Sequence, residues 1–175
     1  RGTSALEILN QSREAMRERL GLAWSRYRAT SVLKSPYELL ILASIIEKET
    51  SLGEERRRIA GVFHRRLENG MRLQADPTVI YGLGDEFDGN LRRSDLTRDT
   101  PYNTYTRAGL PPTPIALPSE AALAAAVDPE PGSELYFVAT GRGDGGHYFS
   151  TTLEEHNVAV ARYLQQIRMP ADEGA

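Results

Sequence analysis

The chain of 175 residues contains no cysteine. Disulfide frameworks and thiolate metal sites are therefore excluded, although the absence assigns the protein to no particular compartment. Aromatic residues are sparse, at 7% with a single tryptophan, and no basic stripe interleaves with them. Nor is there an excess of positive charge: 21 Lys and Arg stand against 24 Asp and Glu, a formal charge of −3. Such a chain has no field that recruits nucleic acid or an anionic membrane surface. Long apolar runs are missing too. The longest, "LLILASII" at residues 39–46, is too short to span a bilayer, and no signal peptide is recognisable. The first residue is Arg1 rather than methionine, which suggests a fragment or a processed form. What remains, 40% apolar and 26% charged residues, is the composition of a globular domain with enough chain for one real core.

The apolar periodicity predicts a helix over residues 4–20, with Leu6, Leu9, Met16 and Leu20 on one face and Gly21 as its stop. "SPYE" at residues 35–38 supplies an N-cap serine, a first-turn proline and a capping-box glutamate. The helix it opens is apolar on nearly every side to Ile46 and is expected at the centre of the fold. A third helix is predicted from a Ser51/Glu54 capping box to a stop at Asn69–Gly70. Its face of Ile59, Val62, Phe63 and Leu67 would pack inward, and "EERRR" and "HRR" read as a solvated charged face. Beyond Gly70, "MRLQADPTVIYGLGDEFDGNL" reads as short β-like pieces and turns, followed by a proline-rich stretch. Ser119 caps a short alanine-rich helix to Val127. "ELYFVAT" and "GHYFSTT" read as a hairpin, and "LEEHNVAVARYLQQI" as a closing amphipathic helix. The class is α+β, helices first and strands grouped later. The division expected is a junction segment at 1–34, a main domain at 35–168 and a disordered tail at 169–175.

Two tempting signals fail on context. "GRGDGG" at residues 141–146 matches a dinucleotide-binding fingerprint, but the residues after it form a β-run, not the helix whose N-terminus must meet a pyrophosphate. The three histidines, His64, His147 and His156, lack the spacing of a metal site. No metal and no cofactor is expected.

The informative stretch is "SIIEKET", residues 44–50, where the apolar run ends in two glutamates. On a helix Glu47 shares a stripe with Leu40, Ala43 and Ser44, whereas Glu49 stands behind Leu42, Ile45 and Ile46, roughly 200° away. The two cannot face one cleft together. The small residues Ala43 and Ser44 leave room beside Glu47. The helix C-terminus and partial burial both raise a carboxyl pKa, as a general acid requires. This reading favours Glu47 as an acid and Glu49 as a structural ion-pair partner, against the plain alternative of a solvated helix end.

Four segments, "ILASIIEKET", "RLENGMRLQADPTVIYGLG", "TPYNTYTRAGLPPTPIALPSEAALAAA" and "LYFVATGRGDGGHYFSTTLEEHN", occur in that order. Together they resemble the YceG-like (MltG-type) endolytic murein transglycosylases over roughly residues 36–164. The resemblance implies a lysozyme-like cleft and a lytic transglycosylase that cuts the MurNAc-β-1,4-GlcNAc bond within peptidoglycan strands, leaving 1,6-anhydro-muramyl ends. It implies that the first glutamate of the E-K-E triplet, Glu47, is the sole acid and then base, because the muramyl 6-hydroxyl serves as nucleophile. It further implies an N-terminal membrane helix and a LysM-like region ahead of this chain. The location would be the inner membrane facing the wall, with glycan strands as substrate and peptidoglycan synthases as possible partners.

Within these motifs Ser44, Gln74, Asp76, Thr78, Tyr81, Asn103, Tyr105, His147 and Ser150 are candidate sugar-binding residues, since amides and hydroxyls bond acetamido and ring groups and flat rings stack on pyranoses. Each has a plainer reading: Asp76 as a turn residue, Tyr81 as half-buried core, Asn103 as a loop fastener. Two other functions stay open at this point. One is a muramidase-type hydrolase in which Asp76 or Glu49 assists water; the other is a non-catalytic glycan-binding module.

Overall fold

A computed structural model describes residues 4–27 and 32–168. Its elements are α1 (Ala5–Arg26), α2 (Pro36–Glu49), α3 (Arg56–Glu68), α4 (Asp76–Leu83), α5 (Arg93–Thr97), α6 (Glu120–Val127), β1 (Tyr136–Ala139), β2 (His147–Ser150) and α7 (Leu153–Arg168), with one turn of 3₁₀-helix at Gly84–Glu86. Seven helices and a two-stranded antiparallel sheet make the class α+β. The proposed tail at 169–175 lies outside the described residues.

The centre is α2. Ser35 accepts the Glu38 amide, Pro36 opens the first turn, and every residue from Leu39 to Ile46 except the half-buried Leu40 is buried. Burying each large aliphatic side chain stabilises the fold by roughly 1.5–3 kcal/mol, so this helix anchors the core. Against it pack Ile59, Ala60 and Phe63 of α3, Leu73 and Ala75 ahead of α4, and Ala122, Leu123, Ala125 and Ala126 of α6. The pairing of α2 with α6 is the most extensive between helices. Ala43 on α2 and Ala122, Ala125 and Ala126 on α6 are buried in one cluster, and small residues of this kind let two helix backbones lie close.

Three sequence expectations are corrected. α1 continues past Gly21 to Arg26, because Ala23 and Trp24 join Met16 and Leu20 against the core; Leu6 and Leu9 stay exposed. α3 starts at Arg56 with no side-chain cap, not at a Ser51/Glu54 box. Residues 76–83 are helical rather than β-like. Val79, Ile80 and Tyr81 favour strands, but burial of Thr78, Val79 and Leu83 overrides that preference. Pro77 sits in the first turn of α4, and Asp76 complements its dipole.

The hairpin pairs Tyr136 with Ser150 through to Ala139 with His147, as the β-runs suggested, and α7 packs across both strands. The charged face expected on α3 is partly internal. His64 is buried with Nε2 against the Ala126 carbonyl at 2.9 Å, and Arg66 is only 7% exposed.

Candidate active site

The α2 C-terminus sends its two glutamates to opposite sides, as helix geometry requires, but to the reverse destinations. Glu47 points at the N-terminus of α6. Its carboxylate accepts the Ser119 amide at 2.9 Å and the Ser119 hydroxyl, while the same hydroxyl oxygen accepts the Ala122 amide. The result is a capping box closed across the fold: the acid that binds the cap amide comes from another helix, not from the third helical position. Burial alone raises the Glu47 carboxyl, but the Ser119 bonds and the charges of Arg56 and Lys48 outweigh it. The carboxyl settles below its ordinary value. An acid held in that state is ionised at neutral pH, where the helix-end reading expected a raised carboxyl.

Glu49 is the residue in the cleft. It lines a cavity of about 320 Å³ with Arg66, Gln74, Asp76, Tyr105, His147 and His156, walled by Phe137, Val138 and Ala139 of β1 and by Tyr163. Its Oε1 is buried without a hydrogen-bond partner among the described residues. Desolvation, followed by the charge of Asp76, pushes its carboxyl up to about 8 against the opposing pull of Arg66. It is therefore protonated at neutral pH.

Each neighbour is positioned by something definite. Arg66 donates Nε to the Leu135 carbonyl and Nη1 to the carbonyls of Arg72 and Leu73 and to Gln74 Oε1, with its guanidinium 5.1 Å from the Tyr136 ring centre. Tyr105 donates its hydroxyl to Asp76; burial and the Asp76 charge keep that phenol well above its usual range. His147 is clamped by Glu55, which accepts its Nδ1 at 2.6 Å and its amide at 2.9 Å. His156 stacks on Tyr136 at 5.2 Å and has a buried, unpartnered Nδ1. Burial and the nearby Arg66 charge hold its imidazole below the ordinary value.

Of the proposed sugar-binding residues, Gln74, Asp76, Tyr105 and His147 converge here. The others do not. Asn103 is wholly buried, its amide donating to the carbonyls of Asp95, Leu96 and Arg98 and accepting from the Tyr105 amide; it is the loop fastener that holds Tyr105. Thr78 bonds Ala75 and Thr104 inside the core. Ser44 is buried and accepts the amide of Ile115 in the segment ahead of α6. Tyr81 is exposed, edge-on to Tyr102, and the buried Ser150 closes the far end of the hairpin ladder.

Arg66, His156 and Tyr163 were missed, yet each had a signal. Arg66 continues the stripe of Ile59, Val62 and Phe63, and Tyr163 lies seven residues, two helical turns, beyond His156. A larger cavity of about 700 Å³ lies between α1, α3 and α6, lined by Arg19, Arg26, Arg56, Arg57, Glu120, Asp128 and apolar residues.

Removing the cap has a measurable cost. Glu47→Ala is expected to destabilise the protein by about 1–2 kcal/mol near neutral pH. Because the folded carboxyl is depressed, that contribution is present above the ordinary carboxylate value and disappears as pH falls through the folded one. Urea unfolding of both proteins at pH 7 and pH 3 measures it; an equal gap at the two pH values contradicts it.

Comparison with known proteins places the fold. The model of the YceG-like family matches residues 1–162. A Bacillus subtilis protein named endolytic murein transglycosylase is 43% identical over 130 residues, covering 74% of this chain and 35% of its own. A Streptococcus pneumoniae R6 protein of the same name is 32% identical over 166 residues, covering 93% and 30%. The crystal structure of a putative YceG-like protein from Listeria monocytogenes superimposes with a TM-score of 0.79 at 41% identity, covering 90% of this chain and 51% of that one. The chain thus spans about a third of the length of the curated relatives it matches. On the family match, the identities and the shared fold together, this chain belongs to the YceG-like family.

Proposed function

We propose that the chain carries the catalytic part of an endolytic murein transglycosylase, with Glu49 as its acid and base. The observation that carries the reading is a buried, unpartnered carboxyl, protonated at neutral pH, in a polar cleft with Gln74, Asp76, Tyr105 and His147. The names of the relatives supply the reaction class. Glu49 gives its proton to the glycosidic oxygen, so the C1–O4 bond breaks and the leaving sugar departs with a 4-hydroxyl. The carboxylate so formed takes the proton of the muramyl 6-hydroxyl while O6 bonds C1. The proton count closes on Glu49, no water is consumed, and the product is the 1,6-anhydro end. The Asp76 side chain, which accepts the Tyr105 hydroxyl, and the face of the sugar's own acetamido group stabilise the oxocarbenium charge. The membrane anchor and synthase partners of the longer protein follow from the family resemblance alone.

One observation favours a second reading. Glu49 and Asp76 share a cleft and interact, and two carboxyl groups are what a glycoside hydrolase uses. Product masses on uncrosslinked glycan strands separate the two. Anhydro ends, one water lighter than hydrolysed ends, are expected; hydrolysed ends throughout would install the muramidase reading instead.

A further inference from the structure

The geometry points to Gln74 as the residue that selects N-acetylated over de-N-acetylated sugar rings, through an amide whose orientation Arg66 locks. The inference rests on the reading of this cleft as a glycan site and specifies which ring chemistry it accepts.

Gln74 stands out for its backbone. Among the described residues it is the only non-glycine at positive φ, +52°. That left-handed conformation costs an L-residue on the order of 1 kcal/mol and persists where surrounding contacts impose it. Here the Gln74 amide donates to the Thr104 carbonyl at 3.1 Å, and Arg66 Nη1 donates to Gln74 Oε1 at 3.1 Å. Strain at an exposed position, held from both sides, is spent on aiming one side chain.

The aim has a definite sense. A guanidinium has donors only, and Arg66 is itself fixed by three backbone carbonyls. Only the oxygen of the Gln74 amide can face it, so the usual two-fold ambiguity of an amide is removed. Nε2, with two hydrogens and no protein partner among the described residues, is left as a free donor on a residue that lines the cleft together with Glu49 and Asp76. Ring hydroxyls both donate and accept, so a fixed donor does not discriminate among them. The 2-position does differ: an acetamido carbonyl accepts, whereas the free amine of a de-N-acetylated ring is an ammonium with donors only. Gln74 therefore bonds the first and confronts the second with like hydrogens. Leaving such a pair unmade typically shifts affinity by about tenfold or more.

Gln74→Glu converts the argument into a reversal. One carboxylate oxygen still accepts from Arg66, and the other replaces the amide donor by an acceptor that suits an ammonium. The extra charge also acts on Glu49, but equally for both substrates, so the ratio between them is the informative quantity. Cleavage (kcat/KM) and binding are measured on native strands and on the same strands after enzymatic de-N-acetylation. The wild-type chain should prefer acetylated strands by about tenfold or more; Gln74→Glu should bring the ratio to unity or invert it. Gln74→Met, of similar volume and without hydrogen bonds, should bring it towards unity, and it serves if the glutamate variant does not fold. A ratio unchanged in a folded variant overturns the inference while leaving the lytic reading intact. If the wild type binds with this selectivity but cleaves neither substrate, the lytic reading fails and the inference stands.

Discussion

Glu49→Gln is expected to reduce glycan cleavage by about 10²–10⁴-fold, the usual contribution of a positioned acid–base group, while Glu47→Gln leaves turnover within a few-fold of wild type. The pairing matters because the family resemblance, carried over by position, falls on Glu47, whereas the geometry assigns the cleft to Glu49. Anhydro-product release by both variants and wild type decides between them. Loss with Glu47→Gln and retention with Glu49→Gln, in folded proteins, would reverse our reading. The acid's raised value of about 8 adds a pH signature: cleavage should decline above about pH 8 as Glu49 loses its proton. Stability follows the same group with its own sign. A folded carboxyl held above its unfolded value contributes fully below about 4.5, and the contribution is lost as pH rises through about 8. The glutamine variant lacks that slope. Its stability relative to wild type should therefore increase from pH 5 to pH 9 by up to a few kcal/mol, read by urea unfolding at the two pH values.

Arg66→Leu is expected to be the most destabilising single change near the site, by about 3–5 kcal/mol. The side chain is buried, and its donors satisfy the carbonyls of Leu135, Arg72 and Leu73 as well as Gln74. Leucine fills the volume but leaves those acceptors without partners in a region that excludes water. Arg66→Lys keeps a charge but not the planar fork, and should lose about half as much. Equilibrium unfolding measures both, and a leucine variant as stable as wild type would mean that these carbonyls find other donors.

The central helix, the alanine-rich helix with its Ser119 cap, the hairpin and the last helix were legible because each rests on local chemistry: a cap, a period or a turn. The failures are non-local. Residues 76–83 look like a strand until the burial of Thr78 and Val79 is known. The angle between Glu47 and Glu49 was correct from sequence. Small residues beside a glutamate describe a tight helix seam as well as an open groove. Only the position of α6, whose cap Ser119 is seventy-two residues from Glu47 in the chain, separates the two. Asn103 shows the same limit, since an amide suited to a sugar is equally suited to three backbone carbonyls.

The clamp of Glu55 on His147 has a mechanical consequence. One wall of the cleft is a sheet of two four-residue strands, an element that is marginal when left alone. It is tied to the helical core by the Glu55 bonds to His147, by the Arg58 guanidinium over the Phe149 ring and by Phe137 and Phe149 packed on the core. Such a panel keeps its place through these side chains rather than through its own ladder, so Glu55→Gln should loosen one wall of the cleft while leaving α2 in place. On the proposed reading, the wall that a glycan strand lies against is thus set by the packing of three aromatic rings and one carboxylate, apart from the helix that carries Glu49.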